Sequence, residues 1–225
     1  MPFPAASRAD RSGGDLARAV RLYHDGAIDL AEARLEWRFF GASRCPLEEP
    51  IGAALARLGV HKFEEDAGRY DVIRAALRLL PRSGLTLLDI GSGSGRLMLY
   101  AACLGARRVH GIEILAPRAA FARAAAAAHG LSEVAVMRGD ALRLAWPKTD
   151  ALIAMNPFYP SAYPLLRERL IDHARAHDPA IVAASTLRDS LAADPAFNLV
   201  AEAAVGWIKL GAFALRRVRQ RRRPG

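Results

Sequence analysis

Long hydrophobic runs are missing from this chain. Nowhere do the roughly 18 uninterrupted apolar residues of a membrane-spanning helix occur, so no membrane partner is expected. Cysteine is almost missing too. Cys45 and Cys103 are the only two in 225 residues. They form no CxxC pair, which argues against a disulfide framework and a cysteine-built metal knuckle. The opening MPFPAASRADRSGG holds no apolar core of signal-peptide length, so the expected location is cytoplasmic. The histidines are scattered. Only His173 and His177 stand at i, i+4 on an expected helix. With no third ligand in view they read as a solvated helix face, and no metal is expected. No Ser-His-Asp set is evident.

What is present is ordinary in amount and uneven in distribution. The chain is 52% hydrophobic and 24% charged, with a formal charge of +9, a composition that suits a globular fold. Six of the arginines lie between Arg216 and Arg223, and without them the rest carries only +3. Such a tail can neutralise nucleic-acid phosphates or attract an acidic partner. It can equally be a solvated terminus, because no aromatic interleaves with the arginines as a base-stacking surface requires.

Residues 1–14 read as disordered, 15–82 as an N-terminal helical extension, 83–219 as the main domain and 220–225 as the basic end. In the extension, Asp15 is placed to cap LARAVRLYH. Ile28 to Phe40 is apolar at helical spacing with Gly41 as its stop, and Ile51 to Leu58 and Asp66 to Leu80 follow. After Gly84 short apolar runs alternate with helical patterns over 94–104, 117–129 and 163–176. The runs are TLLDI, RVHGIEI, VAVMRGD, ALIAMN, AIVAAS, NLVAEAAV and GAFALRRV. Seven such runs predict a doubly wound α/β fold with a mostly parallel sheet covered on both faces. Only GWIKL joins the last two runs, too short for a parallel crossover, so the last strand is expected to be antiparallel.

The segment LLDIGSGSGRL sits at the first strand-to-helix turn. A P-loop wants GxxxxGK[ST], and Arg96 follows Gly95 here. A dinucleotide fingerprint wants its third glycine at position 96, which is also Arg96. The pattern is instead Asp89, Gly91, Gly93 and Gly95. A carboxylate two places before the first glycine repels a pyrophosphate and suits a cationic ligand, such as the sulfonium and ammonium of S-adenosylmethionine (SAM). Glu113, 22 residues beyond Gly91, ends the second run where a carboxylate can accept from ribose hydroxyls. That feature alone fits NAD equally well. Asp140 ends the third run and can accept from an adenine amino group, with Ala141 or Leu142 lining the ring.

Taken together, LLDIGSGSG, GIEI, RGDAL and MNPF resemble a class I SAM-dependent methyltransferase over residues 84–218. The resemblance implies a Rossmann-like fold of seven strands with the last reversed, and SAM as cofactor. On the acceptor side two patterns are similar. Methyltransferases of planar amino groups carry Asn/Asp-Pro-Pro-Tyr/Phe after strand four, which Asn156, Pro157 and Tyr159 match while Phe158 stands in place of the second proline. The non-SET histone-lysine methyltransferases are similar in Asn156-Pro157-Phe158, Leu166-Arg167-Glu168-Arg169, Ile181 to Ser185 and Val205-Gly206-Trp207. Lys62-Phe63-Glu64-Glu65 is similar to the segment that covers SAM in that family. The resemblance implies that Asn156, Phe158 and Tyr159 form the catalytic set, with Asn156 also beside the cofactor and Trp207 in an aromatic channel. It implies a methyl acceptor with an amino nitrogen, preferentially a protein lysine. An RNA base or a small-molecule amine is the alternative acceptor, and a non-catalytic SAM-binding or interaction module is the alternative of another class.

Overall fold

The apolar runs become one sheet. In the computed structural model, which describes residues 13–43, 45, 68–81 and 84–216, seven strands lie in the order β3-β2-β1-β4-β5-β7-β6. They are β1 (Thr86–Ile90), β2 (Arg108–Glu113), β3 (Val134–Arg138), β4 (Ala151–Ala154), β5 (Ala180–Ala184), β6 (Phe197–Val205) and β7 (Ile208–Leu215). β1 to β5 are mutually parallel, and β7 runs antiparallel to both β5 and β6. The reversal follows from the two-residue connection Gly206-Trp207, with Gly206 at φ 58°. So short a link makes only a hairpin.

Successive side chains of each strand serve opposite layers, because a strand alternates its faces. Leu87, Ile153, Val182 and Leu210 join one core. Leu88, Ile90, Leu152, Ala183 and Phe213 join the other. The second core is closed by α7 (Tyr163–His177) and α8 (Ser185–Ala193), through Leu166, Leu170, Leu187 and Leu191. The first is closed by α5 (Arg96–Cys103), α6 (Ala116–Ala128) and the N-terminal helices α1 (Gly13–Asp25), α2 (Leu30–Ala33), α3 (Leu35–Phe40) and α4 (Tyr70–Arg78).

The sequence of α5, RLMLYAAC, is apolar on every side, and its residues from Leu97 to Cys103 are all buried. A helix apolar all round needs cover all round. The sheet covers one side of α5, and α1 and α4 cover the other. The N-terminal helices are therefore part of the core rather than an appendage.

Several expectations change in detail. The helix expected over Ile28–Phe40 is two. Asp29 caps α2 by accepting from Glu32 N at 2.6 Å, and Arg34, at φ 47°, breaks it from α3. Gly41 does end α3. The first helix starts at Gly13, so Asp15 lies within its first turn rather than at its cap. Helix α8 is not anticipated by the sequence reading, although Leu187 and Leu191 stand at i, i+4. His173 is not on a solvated face. It is buried, bonds Thr149 Oγ1 at 3.1 Å and packs edge-on against Trp146. Burial, then the charges of His177 and Arg169, lower its pKa to about 4. The expected helix over Ile51–Leu58, Asp66, Lys62 to Glu65, residues 1–12 and Arg217 to Arg223 lie outside the described residues. Because β7 is reversed, Arg216 stands at the amino edge of β5, where its N–H donates to Ala196 O at 2.7 Å. The basic segment thus begins at the sheet edge opposite the glycine turn.

Candidate cofactor and acceptor site

The strand order turns around between β1 and β4, and the loops leaving their carboxyl ends diverge there. In open α/β sheets this is where ligands bind. The loop after β1 is the glycine turn. Gly91 N and Ser92 N both donate to Ile112 O, at 2.9 and 3.0 Å, and Gly95 N returns to Ser92 O at 2.9 Å. Gly91 has φ 76°, and a Cβ there would lie 2.5 Å from Pro157 Cβ in the loop after β4. Gly95, at φ 89°, would bring its Cβ to 3.0 Å from Ala122 Cβ of α6. Both positions need glycine twice over, for the left-handed backbone and for the close approach.

Two carboxylates sit under this turn. Asp89 is buried. Burial first, and the charge of Glu113 second, raise its pKa to about 7. Glu113 is also buried. One of its oxygens accepts from Gly93 N at 2.8 Å and the other from Leu115 N at 2.8 Å. Each oxygen keeps a second lone pair. A ligand with a cationic centre would relieve Asp89, and hydroxyl donors could still bond Glu113. SAM fits this acceptor set. Around the turn, Ser92 Oγ and Arg118 Nε are buried with no hydrogen-bond partner among the described residues. Asp140 serves its own turn, accepting from Leu142 N at 2.8 Å and pairing with Arg143 at 3.4 Å, and Ala141 beside it is buried.

The loop after β4 starts with Asn156, left-handed at φ 57°. Its Oδ1 lies 2.9 Å from Tyr163 Oη and 2.9 Å from Thr186 Oγ1, either of which can donate to it, and these two hydroxyls stand 2.7 Å apart, where either can donate to the other. Burial raises the pKa of Tyr163, with the Thr186 hydrogen bond opposing, so it stays a neutral phenol at ordinary pH. Phe158 is half-buried against the second core. Tyr159 is half-buried, and its carbonyl accepts from Ala162 N at 2.9 Å. The structure thus gathers Asp89, the three glycines and Glu113 around one turn and sets Asn156 and Pro157 beside it. Trp207 is not gathered. It is 58% exposed at the tip of the β6–β7 hairpin, beyond β5.

Sequence reasoning misses Tyr163, Thr186 and a link to the N-terminal layer. Arg96, the first residue of α5, forms a two-pronged pair with Glu36 of α3 at 2.8 and 2.9 Å, and Tyr70 of α4 donates to the same carboxylate at 2.7 Å. Both hydrogen bonds hold the Glu36 carboxyl below its usual range against burial, the largest single influence. Cys45 lies near the turn as well. Burial raises its thiol pKa while Arg118, hydrogen-bonded to it, pulls the other way. For Thr186 a signal existed, a polar residue directly after a strand of small apolar residues. For Glu36 there was none.

Residues 87–177 match the profile of the methyltransferase domain family. An arginine Nω-methyltransferase of Streptomyces achromogenes subsp. streptozoticus is 38% identical over 143 residues, 62% of this chain and 39% of that protein. The ribosomal protein L11 methyltransferase of Thiobacillus denitrificans is 42% identical over 109 residues, 46% of this chain and 36% of its own length. The chain thus spans about two fifths of these relatives or less. Among solved structures, an RNA methyltransferase of Salinibacter ruber in complex with S-adenosyl-L-homocysteine superposes with a TM-score of 0.54 at 20% identity, covering 64% of this chain and 90% of that one. The last likeness establishes the Rossmann-like fold. Among the described residues no helix is long and apolar enough to cross a membrane.

Proposed function

We propose that this protein is a SAM-dependent methyltransferase, residues 87–177 matching the methyltransferase domain family, and that it transfers a methyl group to an amino nitrogen of a protein, with a lysine side chain as the preferred acceptor. The observation that carries this reading is the neutral amide oxygen of Asn156 at the end of β4. It stands next to a proline that fills the space over Gly91.

SAM supplies a methyl group already activated by its positive sulfur, so the protein needs no strong acid or base. Asp89 offsets the positive charge from below the turn, Glu113 takes the ribose hydroxyls, and Asp140 and Ala141 meet the adenine. Asn156 accepts an N–H from the acceptor and so turns the nitrogen lone pair towards the methyl carbon. A lysine reaches this point as an ammonium and must shed its proton. Half-buried Phe158 and Tyr159 favour the neutral amine by excluding water. The surrounding loop, Met155 to Tyr163, contains no carboxylate that would hold the ammonium in its charged form.

The reading is tested with tritiated SAM and a cell extract, divided into nuclease-treated and protease-treated portions. Label should survive nuclease, vanish with protease and appear as methyl-lysine after hydrolysis. Label removed by nuclease would mean an RNA acceptor and overturn the protein reading. SAM binding without label transfer would mean a sensor.

A further inference from the structure

The oxygens of Asn156, Tyr163 and Thr186 form a nearly equilateral triangle with sides of 2.9, 2.9 and 2.7 Å. Three edges need three protons. The two hydroxyls bring one each, and an amide oxygen brings none. When Tyr163 donates to Asn156 and Thr186 donates to Tyr163, the edge between Asn156 and Thr186 is left with lone pairs facing each other. Tyr163 is buried at 8% exposure, whereas Thr186 is exposed. In this arrangement the proton-poor edge is the one nearest solvent.

The backbone is bent to build this cluster. Asn156 has φ 57° and Ser185, immediately before Thr186, has φ 51°. The two stand level just beyond the ends of neighbouring strands, since Ala154 pairs with Ala183 two residues earlier. Left-handed non-glycine residues are costly and gather at sites where a side chain must be aimed. Neither Met155 to Tyr163 nor Ala184 to Arg188 contains an aspartate or glutamate. A guanidinium is met by paired carboxylates, whereas two neutral oxygens suit the N–H groups of an uncharged amine.

We propose that the Asn156–Thr186 edge receives the acceptor nitrogen, with Thr186 Oγ1 as a second contact and Tyr163 as the positioning residue that fixes the Asn156 oxygen. This rests on the methyltransferase reading and narrows its acceptor to a neutral amine rather than a guanidinium. The amine's N–H groups donate to Asn156 and Thr186, and its lone pair points away from them. That lone pair forms the new N–C bond as the C–S bond breaks, the bonding pair passes to sulfur, and the surplus proton on nitrogen leaves to solvent.

A binding experiment on the full chain tests this without knowing the acceptor. Sinefungin is a SAM analogue in which an amino-bearing carbon replaces the methyl-bearing sulfonium, so its amine occupies the space between cofactor and acceptor. Calorimetry should show wild-type protein binding sinefungin more tightly than S-adenosylhomocysteine. Thr186→Val should lower the sinefungin preference about tenfold, as expected for one hydrogen bond to a charged donor, and Thr186→Ser should restore it. Tyr163→Phe should lower it about threefold, and none of these variants should move S-adenosylhomocysteine binding. An unchanged preference in Thr186→Val and Tyr163→Phe, or an equal loss in Thr186→Ser, overturns the proposal. Failure of the wild type to bind either ligand overturns the cofactor reading and this proposal with it.

Discussion

The sheet's carboxyl edge has two halves that are built differently. Over β1 and β2 the site is mostly backbone, a glycine turn whose N–H groups bond Ile112 O and Glu113. Over β4 and β5 it is mostly side chain, a ring of three oxygens set by left-handed Asn156 and by left-handed Ser185 just before Thr186. A backbone site tolerates little change at a few glycines. A side-chain site can be retuned one residue at a time while the fold stays. In this proposal the first half holds a common cofactor and the second selects the acceptor.

Asp89 gives the strongest way to break that contrast. Its folded pKa of about 7 lies above the unfolded value, so the folded state holds a proton that the unfolded state has lost. Its stability contribution is complete at pH 4 and lost as pH rises through 7. The loss is about 4 kcal/mol at full expression. His173 acts in the opposite sense, gaining stability as pH rises from 4 towards its unfolded value. The measurement is therefore a comparison of wild type with Asp89→Asn in urea titrations across that range. The variant should lose the fall with pH, and SAM should reduce the fall in the wild type. A pH dependence identical in both would remove Asp89 from the site.

Gly91→Ala tests the contact between the halves. The substitution places a methyl 2.5 Å from Pro157 at a left-handed position. It should cost about 3 kcal/mol in urea unfolding and abolish cofactor binding by calorimetry. If stability falls and binding survives, the turn is structural only.

Asn156→Ala acts on the acceptor half alone. Label transfer should fall about a hundredfold, the size expected of a lost positioning contact, while S-adenosylhomocysteine affinity changes less than threefold. Equal losses in both would merge the two halves into one unit. The smallest effect belongs to Glu36→Gln. The Arg96–Glu36 pair is substantially exposed, with side chains 39% and 53% accessible, so its loss should cost less than about 1 kcal/mol in urea unfolding. A larger cost would mean that the N-terminal layer holds the turn through this pair.

Legibility followed the same division. The strands after Gly84 were readable because parallel strands buried on both faces are continuous apolar runs. Glycines at spacing two were readable because they are costly without a backbone reason. Helix α8 escaped because Thr186, Asp189 and Ser190 dilute its pattern to two buried leucines. The break at Arg34 escaped because a left-handed arginine leaves no trace in apolar spacing. Asn156 was legible as a polar residue at a strand end, but its partners were not. Tyr163 lies seven residues on and Thr186 thirty, and only the adjacency of β4 and β5 joins them.

By itself the sequence determined the sheet, its reversed last strand and the glycine turn with its two acidic companions. Those depend on local chain chemistry: apolar runs, a short connection and glycine's freedom of φ. Only tertiary structure decided that α1 and α4 enclose α5, that Pro157 seals Gly91, and that three distant oxygens meet one proton short. Each of these is set by which strand lies beside which, a fact that no stretch of chain carries alone.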